Sequence, residues 1–206
     1  MKPLNVSESV VTGMQKLLFI DACIRGDASR TRKLATRLVN SLSQRYEVER
    51  IDLTSSALLP IDAQQYDIRS REGASPLAVD YARKFAAADR IVIAAPFWDM
   101  SFPSVLKVFC ENISLNGITF ADREDHSTEG LCRATRMLLV TTRGMEIEDE
   151  SPLDQATPYL KALGWLWGIP EVQVVSAYGM DIHDSSTCAM RLQAAENKGL
   201  SLCEEF

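Results

Sequence analysis

Apolar and polar positions in this chain follow two alternating periods. Residues 16–22, 48–53, 90–95, 136–142 and 172–177 are short apolar runs, which predicts five buried strands. Between them the period lengthens. Leu34, Leu38 and Leu42 recur every fourth residue, with Ala35 and Val39 beside them, so 29–45 reads as a helix with one apolar stripe. Ser75 is placed to cap, and Pro76 to open, a helix running to about residue 88. Further helices are expected over 103–114, 152–167 and 185–199, with Gly168-Ile169-Pro170 stopping the second of these. Residues 54–74 show no clear period and read as a long loop, and 117–120 with the polar stretch after it reads as a small hairpin. Apolar strands that alternate with helices predict a parallel sheet covered on both faces.

Composition narrows the class. At 206 residues and 46% hydrophobic, the chain suits one domain with a full core, expected over 16–206 after a flexible extension at 1–15. The net charge of -6 speaks against nucleic acid or an anionic membrane as partner. The apolar runs are strand-sized, so no membrane span is expected. Five scattered cysteines form no CxxC pair and no metal spacing, which points to reduced thiols in the cytoplasm. His126 and His183 sit in polar, loop-like surroundings and read as surface residues, not as catalytic groups or metal ligands.

In a parallel sheet of this kind, ligands collect at the carboxyl ends of the strands. Three loops qualify. After the first strand, Ser29 is followed by Arg30, Arg32 and Lys33 in the first helical turn, where positive charge opposes the helix dipole. A bound phosphate would turn that conflict into attraction, with Ser29 and Thr31 as donors; the plain alternative is a solvated, capped helix start. The loop has neither GxxxxGK[ST] nor GxGxxG spacing. After the third strand, Pro96, Phe97, Trp98, Asp99, Met100 and Phe102 form a short, stiff, aromatic loop ended by Pro103. It suits the face and edge of a planar heterocycle, or else packing under a neighbouring loop or at a dimer interface. After the fourth strand, Gly144 permits close backbone approach. Arg143 is suited to stabilise negative charge, or else to pair with Glu146 or Glu148.

Together these loops resemble the flavodoxin-like NAD(P)H:quinone oxidoreductases, in particular the FMN-dependent NADH-azoreductase branch. The resemblance rests on IVIAAPFWDMSFPSVLKVFCENISLNGITF, on LLVTTRGM and on PYLKALGWLWGIPEVQVVSAYGM, in that order. It implies a five-stranded, doubly wound α/β fold of strand order 2-1-3-4-5. It implies an FMN phosphate at Ser29, Arg30 and Thr31, beside Cys23, where the family usually has serine. Isoalloxazine contacts are implied for Pro96, Phe97, Trp98, Asp99 and Met100, and for Thr142, Arg143, Gly144 and Met145, with Arg143 as stabiliser of the reduced flavin. The implied reaction is a two-electron, ping-pong transfer from NADH or NADPH to a quinone, azo or nitroaromatic acceptor, without metal. It implies a homodimer in which Trp98, Leu166 and Trp167, with Trp165 near, wall the acceptor pocket; ordinary burial at a helix end is the alternative for those on the helix. An electron-carrying flavodoxin, an FMN reductase serving a partner, and a flavin-free interaction protein are the competing readings.

Overall fold

The computed structural model describes residues 13–206, so all but the last three residues of the expected extension lie outside the described residues. In chain order the elements are β1 (Gln15–Asp21), α1 (Arg30–Leu42), β2 (Tyr46–Asp52), α2 (Ala63–Glu72), α3 (Pro76–Ala87), β3 (Arg90–Ala94) and α4 (Ser104–Ile113). There follow β4 (Phe120–Asp122), β5 (Thr128–Gly130), β6 (Arg136–Thr142), α5 (Ala156–Trp167), β7 (Glu171–Ala177) and α6 (Ser185–Glu204). The main sheet has order β2-β1-β3-β6-β7 with every pair parallel, which is the expected 2-1-3-4-5 arrangement. The antiparallel β4–β5 hairpin stands apart from it.

Side chains alternate across each strand, and the two faces feed two cores. Leu17, Phe19, Val92, Val140 and Val175 pack under α1 and α6, meeting the Leu34-Leu38-Leu42 stripe. Leu18, Ile20, Ile91, Ile93 and Leu139 pack on the other face against α3, α4 and α5. Burial on both faces explains why the strands read as near-continuous apolar runs. Among the described residues no helix is long and apolar enough to cross a membrane.

Three expectations are corrected. The region 54–74 is not a loop throughout, because it contains α2, capped by Asp62 and ended at Gly73. No residue of α2 is buried, so it carries no apolar stripe for a period to reveal. The helix expected from 152 begins at Ala156, where the Asp154 carboxylate accepts from the Ala156 and Thr157 N–H groups. The last helix continues to Glu204 through Gly199. That glycine is a contact and not a stop: a Cβ there would lie 2.6 Å from Leu38 Cδ1, across the α1–α6 packing.

Candidate functional site

Four loops meet at the carboxyl edge of the sheet around a cleft that is open to solvent. Ser29, Arg30 and Thr31 line one end. Pro96, Phe97 and Trp98 line one wall, and Thr142 and Gly144 another. The structure thus brings together the three loops that the sequence singled out. It knits them as well. Thr31 Oγ1 and Thr142 Oγ1 share a 2.7 Å hydrogen bond, and the Phe97 N–H donates to the Thr142 carbonyl at 3.1 Å.

The Ser29 end presents hydrogen-bond donors and positive charge. Ser29 caps α1 by accepting from the Arg32 N–H. The Ser29 N–H is spent on Gly26, which leaves the Arg30 and Thr31 N–H groups at the positive end of the helix without a partner among the described residues. Arg25 lines the cleft and forms no ion pair among the described residues. The cluster of cations in this turn divides by direction. Arg32 folds back onto Asp21 at 2.8 Å and Asp52 at 3.2 Å and is structural. Arg30 reaches over the cleft to Asp181 at 2.7 Å.

The aromatic wall ends in a tight turn. Trp98 and Ser101 exchange both backbone hydrogen bonds, and Asp99 and Met100 between them have φ of 49° and 64°. Two left-handed residues in a two-residue turn give the I′ geometry, which favours Asn-Gly and strains a methionine. The turn presents Trp98 to the cleft, whereas Met100 tucks under Phe97 and Ile147. Asp99 is exposed and does not line the cleft.

Several expected site residues lie elsewhere. Arg143 is fully buried. Its guanidinium donates to the Ile147 and Glu148 carbonyls at 2.8 and 2.6 Å, and to the Asp149 and Asp154 carboxylates at 3.1 and 2.8 Å. It stacks 5.2 Å from the Phe97 ring centroid. Its charge is therefore spent inside the protein and is not offered to the cleft. The expected surface pairs with Glu146 and Glu148 do not form either; only the Glu148 backbone is used. The Cys23 thiol is buried against the Ala94 carbonyl, and desolvation pushes it up to about 12. Met145 is exposed beside the cleft and does not line it. Trp167 is fully buried, edge-on to Phe85 at 4.7 Å, and Leu166 packs half-buried on the same core, so neither lines the cleft of its own chain.

Sequence reasoning missed Arg25, Met180 and Asp181, which complete the lining. The last two come from the loop after β7, a fourth strand end at the same edge. It reaches the cleft because it is zipped to the loop after β6: Gly179, Met180 and Asp181 donate to the Met145, Arg143 and Gly144 carbonyls at 2.8 to 3.0 Å. The Glu146 carboxylate extends that tie by binding both Arg191 and His183. Arg191, then His183, hold it down at about 2. Gly144 is a matter of space: a Cβ there would sit 2.4 Å from Asp181 Oδ2. Among the described residues no cluster of His, Cys, Asp and Glu could hold a metal ion.

A protein-family model described as a flavodoxin-like fold matches residues 15–199. The FMN-dependent NADH:quinone oxidoreductase of Vibrio vulnificus is 30% identical over 200 residues, covering 93% of this chain and 96% of its own. FMN-dependent NADH:quinone oxidoreductase 2 of Clostridium perfringens is 26% identical and covers 94% of this chain and all of its own. Among solved structures, an FMN-dependent NADH-azoreductase of Bacillus anthracis in complex with FMN superposes with a TM-score of 0.79 at 23% identity, covering 93% of this chain and 99% of that one.

Proposed function

This chain belongs to the flavodoxin-like family of FMN-dependent NADH:quinone oxidoreductases, and we propose that its cleft binds FMN and that the protein reduces quinones with NADH. The observation that carries this reading is the polarity of the cleft: an anion end made of helix N–H groups and arginines, continuous with a flat wall of Phe97 and Trp98. The residues present fit the cofactor. The phosphate takes the Arg30 and Thr31 N–H groups and the Ser29 hydroxyl, with Arg25 and Arg30 supplying positive charge. Pro96, Phe97 and Trp98, with Thr142 and Gly144, would hold the ring system.

When bound, FMN would supply two-electron redox chemistry between NADH and a quinone or azo acceptor. The protein's share is positioning. The Thr31–Thr142 and Phe97–Thr142 bonds hold the phosphate end and the ring wall at a fixed separation. The half-exposed Trp98 stands where an acceptor must enter and shapes what can stack there; flat, electron-poor quinone and azo compounds suit such a face. Arg143 acts one step removed: by gripping the 147–154 segment and Phe97 it keeps that wall stiff. We further propose a homodimer, supported by the exposed Trp98 and Trp165.

The test is spectroscopic. Purified protein reconstituted with FMN takes up flavin, the bound flavin bleaches on anaerobic addition of NADH, and colour returns on addition of a benzoquinone or an azo dye. Failure to take up flavin after reconstitution overturns the reading.

A further inference from the structure

The geometry points to Asp181 as a built-in competitor for the ligand of this cleft, an internal anion that FMN must displace in order to bind. This inference rests on the FMN reading of the cleft. Its carboxylate does two things that a ligand would do. One oxygen holds Arg30, a cation of the anion end, at 2.7 Å. The other lies over Gly144, in the space that a glycine leaves open on the opposite wall. Arg30, Gly144 and Asp181 all line the cleft, so the Arg30–Asp181 pair joins its two sides.

The placement is fixed by the backbone. Asp181 N–H donates to the Gly144 carbonyl at 3.0 Å, inside the zipped pair of loops, so the carboxylate projects from an anchored position. Any side chain at position 144 would expel it, because a Cβ there meets Oδ2 at 2.4 Å. When a phosphate dianion arrives beside Arg30, Asp181 adds a like charge and a rival acceptor. The side chain must then swing off both Arg30 and Gly144, which its exposure permits. The design is a repulsive element within an otherwise complementary site, and it makes FMN binding weaker and more exchangeable than the cradle alone would give. Riboflavin, which has no phosphate, brings no anion to Arg30 and meets no charge repulsion from Asp181.

Asp181→Asn separates these effects. The readout is the equilibrium Kd from quenching of flavin fluorescence, for FMN and for riboflavin. An exposed ion pair governs an equilibrium by up to roughly fivefold, so FMN is expected to bind the variant up to about five times more tightly, with little change for riboflavin. The gain is expected to shrink in high salt, which screens exposed charge. It is also expected to vanish in an Arg30→Gln background, where there is no cation to compete for. An unchanged or weaker FMN Kd in Asp181→Asn overturns the inference, as does equal tightening of riboflavin or a gain that survives Arg30→Gln. A wild-type protein that binds neither flavin overturns the FMN reading itself, a result distinct from binding that is indifferent to residue 181.

Discussion

Arg143 shows how far the direction of one side chain can depart from the place of its Cα. Its backbone sits at the end of β6, at the edge of the cleft, yet its guanidinium turns inward to Asp154 and Asp149. Removing one partner of a buried pair leaves the other charge stranded, at a cost of about 3–5 kcal/mol. Asp154 keeps three other donors, from Ala156 and Thr157, so Arg143→Met is expected near 3 kcal/mol, the lower end of that range. Urea denaturation measures it, and Arg143→Met with Asp154→Asn should recover part of the loss. Glu146 gives a pH signature. Its carboxyl is held at about 2, below the ordinary 4.5, by Arg191 and then His183. A depressed carboxylate stabilises the fold fully above its unfolded value and loses that contribution as pH falls towards the folded one. The stability gap between wild type and Glu146→Gln should therefore close as pH falls from 4.5 to 2, followed by thermal denaturation. Spacing in the sequence placed Ser29, Thr31, Phe97, Trp98 and Gly144 at the cleft because backbone position decides those contacts. The family resemblance implied the cleft for Arg143, Cys23 and Trp167 as well, whose positions share those loops and helix ends but whose side chains point into the protein.

Elements were legible in proportion to how much apolar surface each buries. The five strands and α1 carry their period because one or both faces meet a core. Helix α2 has no buried residue, so its signature was confined to its ends: Asp62 accepting from the Gln65 N–H, and Gly73 at φ 85°. Such a helix depends on its cap. Asp62→Ala should cost about 1 kcal/mol locally, and amide exchange should rise within 63–72 and not in the sheet. The β4–β5 hairpin is held differently. A Cβ on Gly130 would stand 1.9 Å from the Gly168 backbone nitrogen, at the end of α5. Backbone cannot yield as a flexible side chain can, so Gly130→Ala must push the hairpin off α5. Overpacking of this kind costs roughly 1–3 kcal/mol or more, and a fall in Tm together with faster exchange over 119–132 is the expected result.

At the scale of the molecule, strand order explains why the cleft exists. The chain leaves β1 for the edge at β2, returns to β3, and from there runs outward through β6 and β7. The connections after β1 and β3 therefore leave on opposite faces, α1 on one and α4 on the other, and a crevice opens between them. Alternating strands and helices predict the parallel sheet covered on both faces, and the family resemblance implies its strand order. The contribution of the β7 loop was not readable, because β7 lies beyond β6 and its loop reaches the cleft through tertiary hydrogen bonds to the loop after β6. The two helical layers also differ in what they leave uncovered. Tyr66 on α2 and Trp165 on α5 are 65% and 73% exposed on the layer with α4, and Trp98 is 42% exposed at the cleft beside it. Those are the exposed aromatic residues among the described residues, and an isolated chain gains nothing from holding them in water. A second copy packing on the α2–α4–α5 layer would cover them and close the open mouth at Trp98. Light scattering should then give twice the 22.9 kDa chain mass at micromolar concentration. Trp165→Glu, a change at an exposed site outside the core, should shift the protein towards monomer while its thermal transition stays cooperative, and should lower quinone reduction by leaving each cleft open on one side. A wild-type protein that remains monomeric across that range, or a monomeric Trp165→Glu with undiminished turnover, would show that the cleft is complete within one chain.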